Sequence, residues 1–151
     1  MIKSLHDSVY NAYKPAIGKK RREIVTPALI LDLDVAKRNI KYMADYLSKM
    51  PAELKPHIKV QKCSELAKMQ IEAGAIGVCT ATVWEAIVMS RAGIEDVYIA
   101  NQIGVPAKIK ALVQEAKHSR LSLAVDNKQN ADDLSSAAVA AGSEQIGRAH
   151  V

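Results

Sequence analysis

Phenylalanine is absent from this chain, tryptophan occurs once, and aromatic residues make up 4% of the sequence. Proteins that hold single-stranded nucleic acid stack bases on aromatic side chains, so that platform is not evident here. Cysteine occurs twice, at Cys63 and Cys79, too far apart for a CxxC motif, and free thiols in a reducing compartment are expected. No apolar run approaches the roughly 20 residues that a membrane-spanning helix needs. Neither GxGxxG nor GxxxxGK[ST] follows any apolar segment, which leaves both common nucleotide sites unsupported. Met1 to Tyr10 carries Lys3, His6 and Asp7 and lacks the apolar stretch of a secretory signal. These absences predict a cytoplasmic protein with no membrane and no nucleic-acid partner.

What is present suits an ordinary globular domain. The 151 residues are 49% hydrophobic and 25% charged, enough for one core. The net charge of +5 is modest, and Lys19-Lys20-Arg21-Arg22 places four of the 21 lysine and arginine charges in one run. That run reads as a solvated segment ahead of the first strand rather than as an anion-binding patch.

The pattern then becomes regular. Ala28 to Leu33 reads as a strand opened by Thr26-Pro27. A helix from Val35 to Lys49 follows, capped by Asp34, with Ile40, Met43 and Leu47 at helical spacing on a buried face. Met50-Pro51 ends it. Strands are expected at Lys55–Val60, Ile76–Thr80, Asp96–Ala100 and Leu121–Val125. Helices are expected at Ser64–Glu72, Thr82–Arg91, Pro106–Lys117 and Lys128–Ala141. Ser64 caps the first of these, Pro106 suits a first helical turn, and Gly74, Gly93 and Gly142 suit helix ends.

Short apolar strands alternating with helices predict parallel strands buried on both faces. A closed barrel of this kind takes eight units and roughly 250 residues. The expected fold is therefore α/β, the amino-terminal half of a (β/α)8 barrel of the TIM type. A small doubly wound open sheet is the alternative. Residues 1–25 form an extension, 26–144 the partial barrel, and 145–151 a tail without helix or strand pattern. Ile146 to Val151 is also the translation of a common sequencing adapter, so the tail reads as non-native.

Lys59 stands near the carboxyl end of the Lys55–Val60 strand, where β/α units offer functional groups. An amine there, once desolvated, can form a Schiff base with a carbonyl. Taken alone, a lysine at a strand end is ordinarily a solvated charge. His57 leans to the same strand face, either to touch the same ligand or to pack as a hydrogen-bonded histidine. Thr80, Asn101 and Asp126 sit at later strand ends, where they either line a barrel mouth or cap the next helix. Cys63 reads as a structural thiol, and Trp84 and the methionines read as core.

Thr26-Pro27-Ala28-Leu29-Ile30-Leu31-Asp32-Leu33-Asp34, Arg38-Asn39-Ile40 and Leu54-Lys55-Pro56-His57-Ile58-Lys59 follow one another in order. Ala73-Gly74-Ala75-Ile76-Gly77-Val78, Trp84-Glu85-Ala86 and Ile99-Ala100-Asn101 come after them. Together they resemble the amino-terminal half of the D-threonine aldolase and D-serine dehydratase-like family, pyridoxal-phosphate enzymes of the alanine-racemase fold type. The stretch Leu54-Lys55-Pro56-His57-Ile58-Lys59 looks like the motif L-R-P-H-x-K, whose lysine holds the cofactor. Two departures stand out. Val60-Gln61-Lys62 replaces T-H-K or V-H-K, and Lys55 replaces an arginine, which loses a planar bidentate donor.

The resemblance implies that Lys59 bonds covalently to pyridoxal 5'-phosphate, with His57, Thr80, Asn101 and Asp126 near the cofactor. It implies a lyase that cleaves or dehydrates a D-β-hydroxy amino acid, a small-molecule substrate. A racemase of the same fold and a non-catalytic pyridoxal-phosphate-binding protein are the alternatives. It also implies a divalent metal held beyond Val151, a possible homodimer, and little activity in these 151 residues alone.

Overall fold

The structure, a computed structural model, describes residues 9–143 and 148–149. The expectations for residues 1–8 and for 144–147, 150 and 151 lie outside the described residues. The chain divides into two compact units, Met1–Ala36 and Lys37–Val151.

In the first unit, short 3-10 turns at Lys14–Ala16 and Arg21–Glu23 follow a helical stretch at 9–13. The Tyr13 hydroxyl donates to the Pro27 carbonyl at 2.9 Å. Lys19 to Arg22 are all exposed, as a solvated basic run should be. The strand expected at Ala28 to Leu33 does not form, and Leu29, Ile30 and Leu31 are exposed. A strand persists only where its backbone groups find a ladder, and no described segment pairs with this one.

Helix α1 (Leu33–Leu47) begins two residues earlier than the spacing predicted. The Asp32 carboxylate accepts from the Asp34 and Val35 N–H groups at 3.0 Å, so Asp32, not Asp34, is the cap. No residue of α1 is buried. Its half-buried stripe is Ala36, Ile40, Ala44 and Leu47, and Met43, expected on that face, is exposed.

The second unit carries the alternation. Helix α2 (Ser64–Glu72) leads to β1 (Val78–Thr80), α3 (Val83–Arg91) and β2 (Asp96–Ile99). Then come α4 (Pro106–Glu115), β3 (Arg120–Val125), α5 (Lys128–Ala141) and β4 (Arg148–Ala149). Ser64 is the first helical residue of α2 and Cys63 occupies the cap position, without a side-chain cap bond. The four strands are parallel and lie in sequence order. A doubly wound sheet reverses its strand order part way, so this order selects the barrel-wall arrangement.

The Lys55–Val60 strand contracts to one bridge, between His57 and Cys79. Around it, Cys79 N–H donates to the Pro56 carbonyl at 2.8 Å and Ile58 N–H to the Cys79 carbonyl at 2.9 Å. Lys62 N–H then closes a turn on the Ile58 carbonyl at 2.8 Å, which stops the ladder. At the far edge, Arg148 and Ala149 pair with Ala124 and Val125 although the tail lacks a strand pattern. An open strand edge offers unpaired backbone groups to any extended segment, whatever its side chains.

The core lies between one sheet face and the helices. Val78, Val97, Ile99, Leu121 and Leu123 meet Ala67, Val83, Ala86, Met89, Ile109, Leu112, Val113, Leu134 and Ala138. The opposite face carries Cys79, which is buried, and Tyr98, Ser122 and Ala124, all half-buried, so β1 is buried on both faces and β2 and β3 fully on one. Trp84 is 56% exposed, against the expectation of core. The buried side of α3 is Val83, Ala86, Met89 and Ser90, and Trp84 falls outside it.

The lower rim, where the strands begin, is tied by polar groups. Lys55 Nζ lies 2.5 Å from Asp96 Oδ1, and Arg120 reaches the other Asp96 oxygen at 3.5 Å. Buried Glu115 accepts from the Ser90 hydroxyl at 2.8 Å and from Arg91 Nε at 3.3 Å. Gly77 lies beside Asp96, and a Cβ there would sit closer to the Asp96 carbonyl oxygen than any real Cβ approaches. Backbone must shift to admit it. Gly77→Ala is expected to cost about 1–3 kcal/mol in urea unfolding, the range for overpacking. A midpoint equal to that of the parent chain would show that the lower rim yields freely.

Candidate active site

The carboxyl ends of the strands form the upper rim. Lys59 follows the His57 bridge and lies in the turn at that rim, beyond the strand end that the sequence suggested. Its side chain is exposed, so the desolvated amine that a Schiff base favours is not present in this chain alone. Its N–H donates to His57 Nδ1 at 3.3 Å, a long bond that faces the imidazole toward the turn.

Three lysines crowd this segment, and their surroundings separate them. Lys55 is paired with Asp96 at the lower rim. Lys62 Nζ lies 2.7 Å from Glu85 Oε1. Among the described residues Lys59 forms no ion pair, and it alone of the three presents an amine to a ligand.

Register decides what else faces the same space. Partners across a parallel ladder share a face, so His57, Cys79, Tyr98 and Ser122 form one row on the open side of the sheet. Burial raises the pKa of Cys79, more than neighbouring groups lower it, so its thiol stays protonated. Thr80 pairs instead with Ile99, and through it with Leu123, on the helix-packed face. Its side chain is fully buried, with the Thr82 and Tyr98 carbonyls 3.5 Å from its hydroxyl. Thr80 therefore does not stand with His57 on the open side.

Asn101 and Asp126 are exposed on the upper rim, after β2 and β3. Asn101 Oδ1 accepts from Gln102 N–H at 3.0 Å, and Asp126 Oδ1 accepts from the Asn127 amide at 2.9 Å. None of Thr80, Asn101 and Asp126 caps a helix. Thr82 caps α3 through Glu85 N–H at 3.2 Å, and Asn127 caps α5 through Asn130 N–H at 2.8 Å. A cap must directly precede the first turn, and the turns here are longer than the strand ends suggested. The α4 start has no side-chain cap and opens on Pro106. Cys63 is half-buried, and its thiol donates to Glu65 Oε2 at 3.4 Å.

Two groups went unread in the sequence. Tyr98 joins the open-face row only through its register with Cys79. Glu85 has both oxygens engaged, Oε1 by Lys62 and Oε2 by the Ala81 N–H at 2.9 Å. Burial raises the Glu85 pKa, but the Lys62 ammonium and the Ala81 and Thr82 N–H groups outweigh it, and the carboxyl titrates below its ordinary value. A lowered folded pKa gives stability that is complete above the unfolded value near 4.5 and is lost as pH falls through the folded value. The stability difference between the parent chain and Glu85→Gln should therefore be constant near neutrality and shrink below pH 4.5. Urea midpoints at a series of pH values measure it, and a gap that widens on acidification contradicts the pairing. Among the described residues no group of three or more His, Cys, Asp or Glu is arranged to hold a metal ion.

Residues 31–150 match the family described as alanine racemase, N-terminal domain. The chain is 37% identical over 127 residues to a D-threonine aldolase of an Arthrobacter species, covering 84% of this chain and 34% of the relative. It is 41% identical over 133 residues to the 3-hydroxy-D-aspartate aldolase of Paracoccus denitrificans, covering 86% and 34%. The crystal structure of D-threonine aldolase from Filomicrobium marinum superposes with a TM-score of 0.82 at 41% identity, covering 85% of this chain and 35% of that one. The chain thus spans about a third of the length of the relatives it matches.

Proposed function

The chain belongs to the alanine racemase N-terminal domain family, and from that premise we propose that it is the lysine-bearing part of a pyridoxal-phosphate-dependent lyase acting on D-β-hydroxy amino acids. The observation that carries the reading is the exposed amine of Lys59 at the upper rim, between two lysines already paired with carboxylates. A free primary amine is what an aldehyde-bearing cofactor requires, so these residues fit pyridoxal 5'-phosphate. The names of the relatives supply the substrate class, since both aldolases are named for D-configured β-hydroxy amino acids.

When bound, pyridoxal 5'-phosphate supplies an electron sink for bonds at the substrate α-carbon. The rest of the chemistry falls to side chains. Lys59 would hold the cofactor, and its amine would be available to move a proton at the α-carbon or the β-hydroxyl. His57 is held against the Lys59 turn by the Lys59 N–H on its Nδ1, which leaves Nε2 to face a ligand. Asn101 and Asp126 offer polar contacts from the same rim.

D-Threonine tests the reading and separates its branches. Aldol cleavage gives glycine and acetaldehyde, dehydration gives 2-oxobutanoate and ammonia, and racemisation gives the α-epimer. The full-length protein loaded with pyridoxal 5'-phosphate is expected to release the aldehyde, and these 151 residues alone to release little. Bound cofactor with none of these products would make it a binding protein without turnover.

A further inference from the structure

We propose that Glu85 is a positioning residue for Lys59, acting through Lys62 to hold the turn that carries the amine at the upper rim. The inference rests on the assignment of Lys59 as the cofactor lysine.

The turn has few anchors of its own. Lys59 and Val60 are exposed, and Val60 is 85% accessible. The tie between Lys59 N–H and His57 Nδ1 is long. The firm anchor before the turn is Ile58, fully buried and bonded to the Cys79 carbonyl. After the turn, Lys62 adopts a φ of +46°, a region that non-glycine residues rarely occupy. That conformation lets its N–H return to the Ile58 carbonyl, and its ammonium reaches Glu85. An L-residue held there relaxes unless its surroundings fix it.

Glu85 supplies the fixing. Its side chain is only 11% exposed, against 63% for Lys62, so the carboxylate is the rigid partner. One oxygen is bonded to Ala81 N–H, on the residue directly after β1. The Glu85 N–H is bonded to the Thr82 hydroxyl that caps α3. The carboxylate is thus fastened to the end of the strand whose Cys79 bridges to His57. An isolated surface ion pair contributes little, because both side chains are free to wander. Here one partner is fixed and the other sits at the end of a five-residue turn closed on Ile58. The pair closes a loop of contacts that runs from β1 through Ile58, Lys59 and Lys62 to Glu85 and back to β1.

Reductive trapping reads this directly. The full-length protein is incubated with pyridoxal 5'-phosphate, reduced with borohydride, digested and mapped, and the share of adduct on Lys59 is compared with the other lysines. In the parent chain Lys59 should dominate. In Glu85→Gln that share should fall about five-fold, at a temperature where circular dichroism shows the fold retained. Lys62→Gln, which leaves the buried carboxylate in place, should give the same fall and serves if Glu85→Gln fails to fold. The double variant should be no worse than either single one, because both break the same link. Exchange of the two residues (Lys62→Glu with Glu85→Lys) should restore part of the Lys59 share. A Lys59 share unchanged in both folded single variants overturns the inference while leaving Lys59 as the cofactor lysine. A parent chain with no preference for Lys59 overturns both.

Discussion

In the full-length protein, Lys59→Ala is expected to lower turnover by more than about three orders of magnitude, since on the proposed assignment one change removes both the cofactor attachment and a proton carrier. The same change should leave the fold intact. Lys59 is exposed and forms no ion pair among the described residues, so its loss should alter stability by no more than about 0.5 kcal/mol. That contrast separates loss of chemistry from loss of structure. Equivalent alanine changes at the neighbouring lysines should behave differently. Lys55→Ala leaves Asp96 with only the more distant Arg120 at the lower rim and should act through stability. Lys62→Ala should act through the turn. Steady-state rates and urea midpoints on the three variants test this together. A Lys59→Ala protein that keeps a tenth of its activity, or borohydride trapping that maps to Lys55 or Lys62, would refute the assignment.

Ile58→Ala is expected to produce the largest loss of stability, about 2–5 kcal/mol by denaturant unfolding, through lost burial and the cavity left behind. Ile58 is fully buried and immediately precedes Lys59. Its backbone bonds to Cys79 and Lys62 are the only regular ties of this edge segment beyond Leu54 and Pro56 among the described residues. Side-chain truncation leaves those bonds possible but removes the anchor that presses the segment onto the sheet. A cost below about 1 kcal/mol would mean that residues 54–58 are not packed against the sheet as described.

The alternation of elements was legible because local signals govern it. Helix α5 matches the expected Lys128–Ala141, and Gly142 closes it at a φ of +63°. Gly93 closes α3 in the same way at +91°. What failed depended on partners distant in sequence. Ala28 to Leu33 has a strand's composition, yet nothing described pairs with it. Lys55 to Val60 has the pattern of a strand, yet the Lys62 turn ends its ladder after one bridge. At the site, Lys59 and His57 could be picked out from a short motif. The inward turn of Thr80 could not, because it depends on register with Ile99. The Lys62–Glu85 pair joins two elements that no periodicity relates.

The placement of the polar ties divides the sheet by mechanical role. Asp96 and Glu115 clamp the strand starts, while the loops beyond β2 and β3 hold Asn101 and Asp126 mainly by bonds to their immediate neighbours. Sequence change therefore carries different risks at the two ends. A library confined to Asn101, Gln102 and Asp126 can reshape what the rim admits while the clamps below, the buried Ile103 and the Asn127 cap stay whole. The same diversity at 94–96 or 115–120 would spend itself on variants that do not fold. Laboratory evolution of substrate range has, in this chain, a permissive end and a forbidding one.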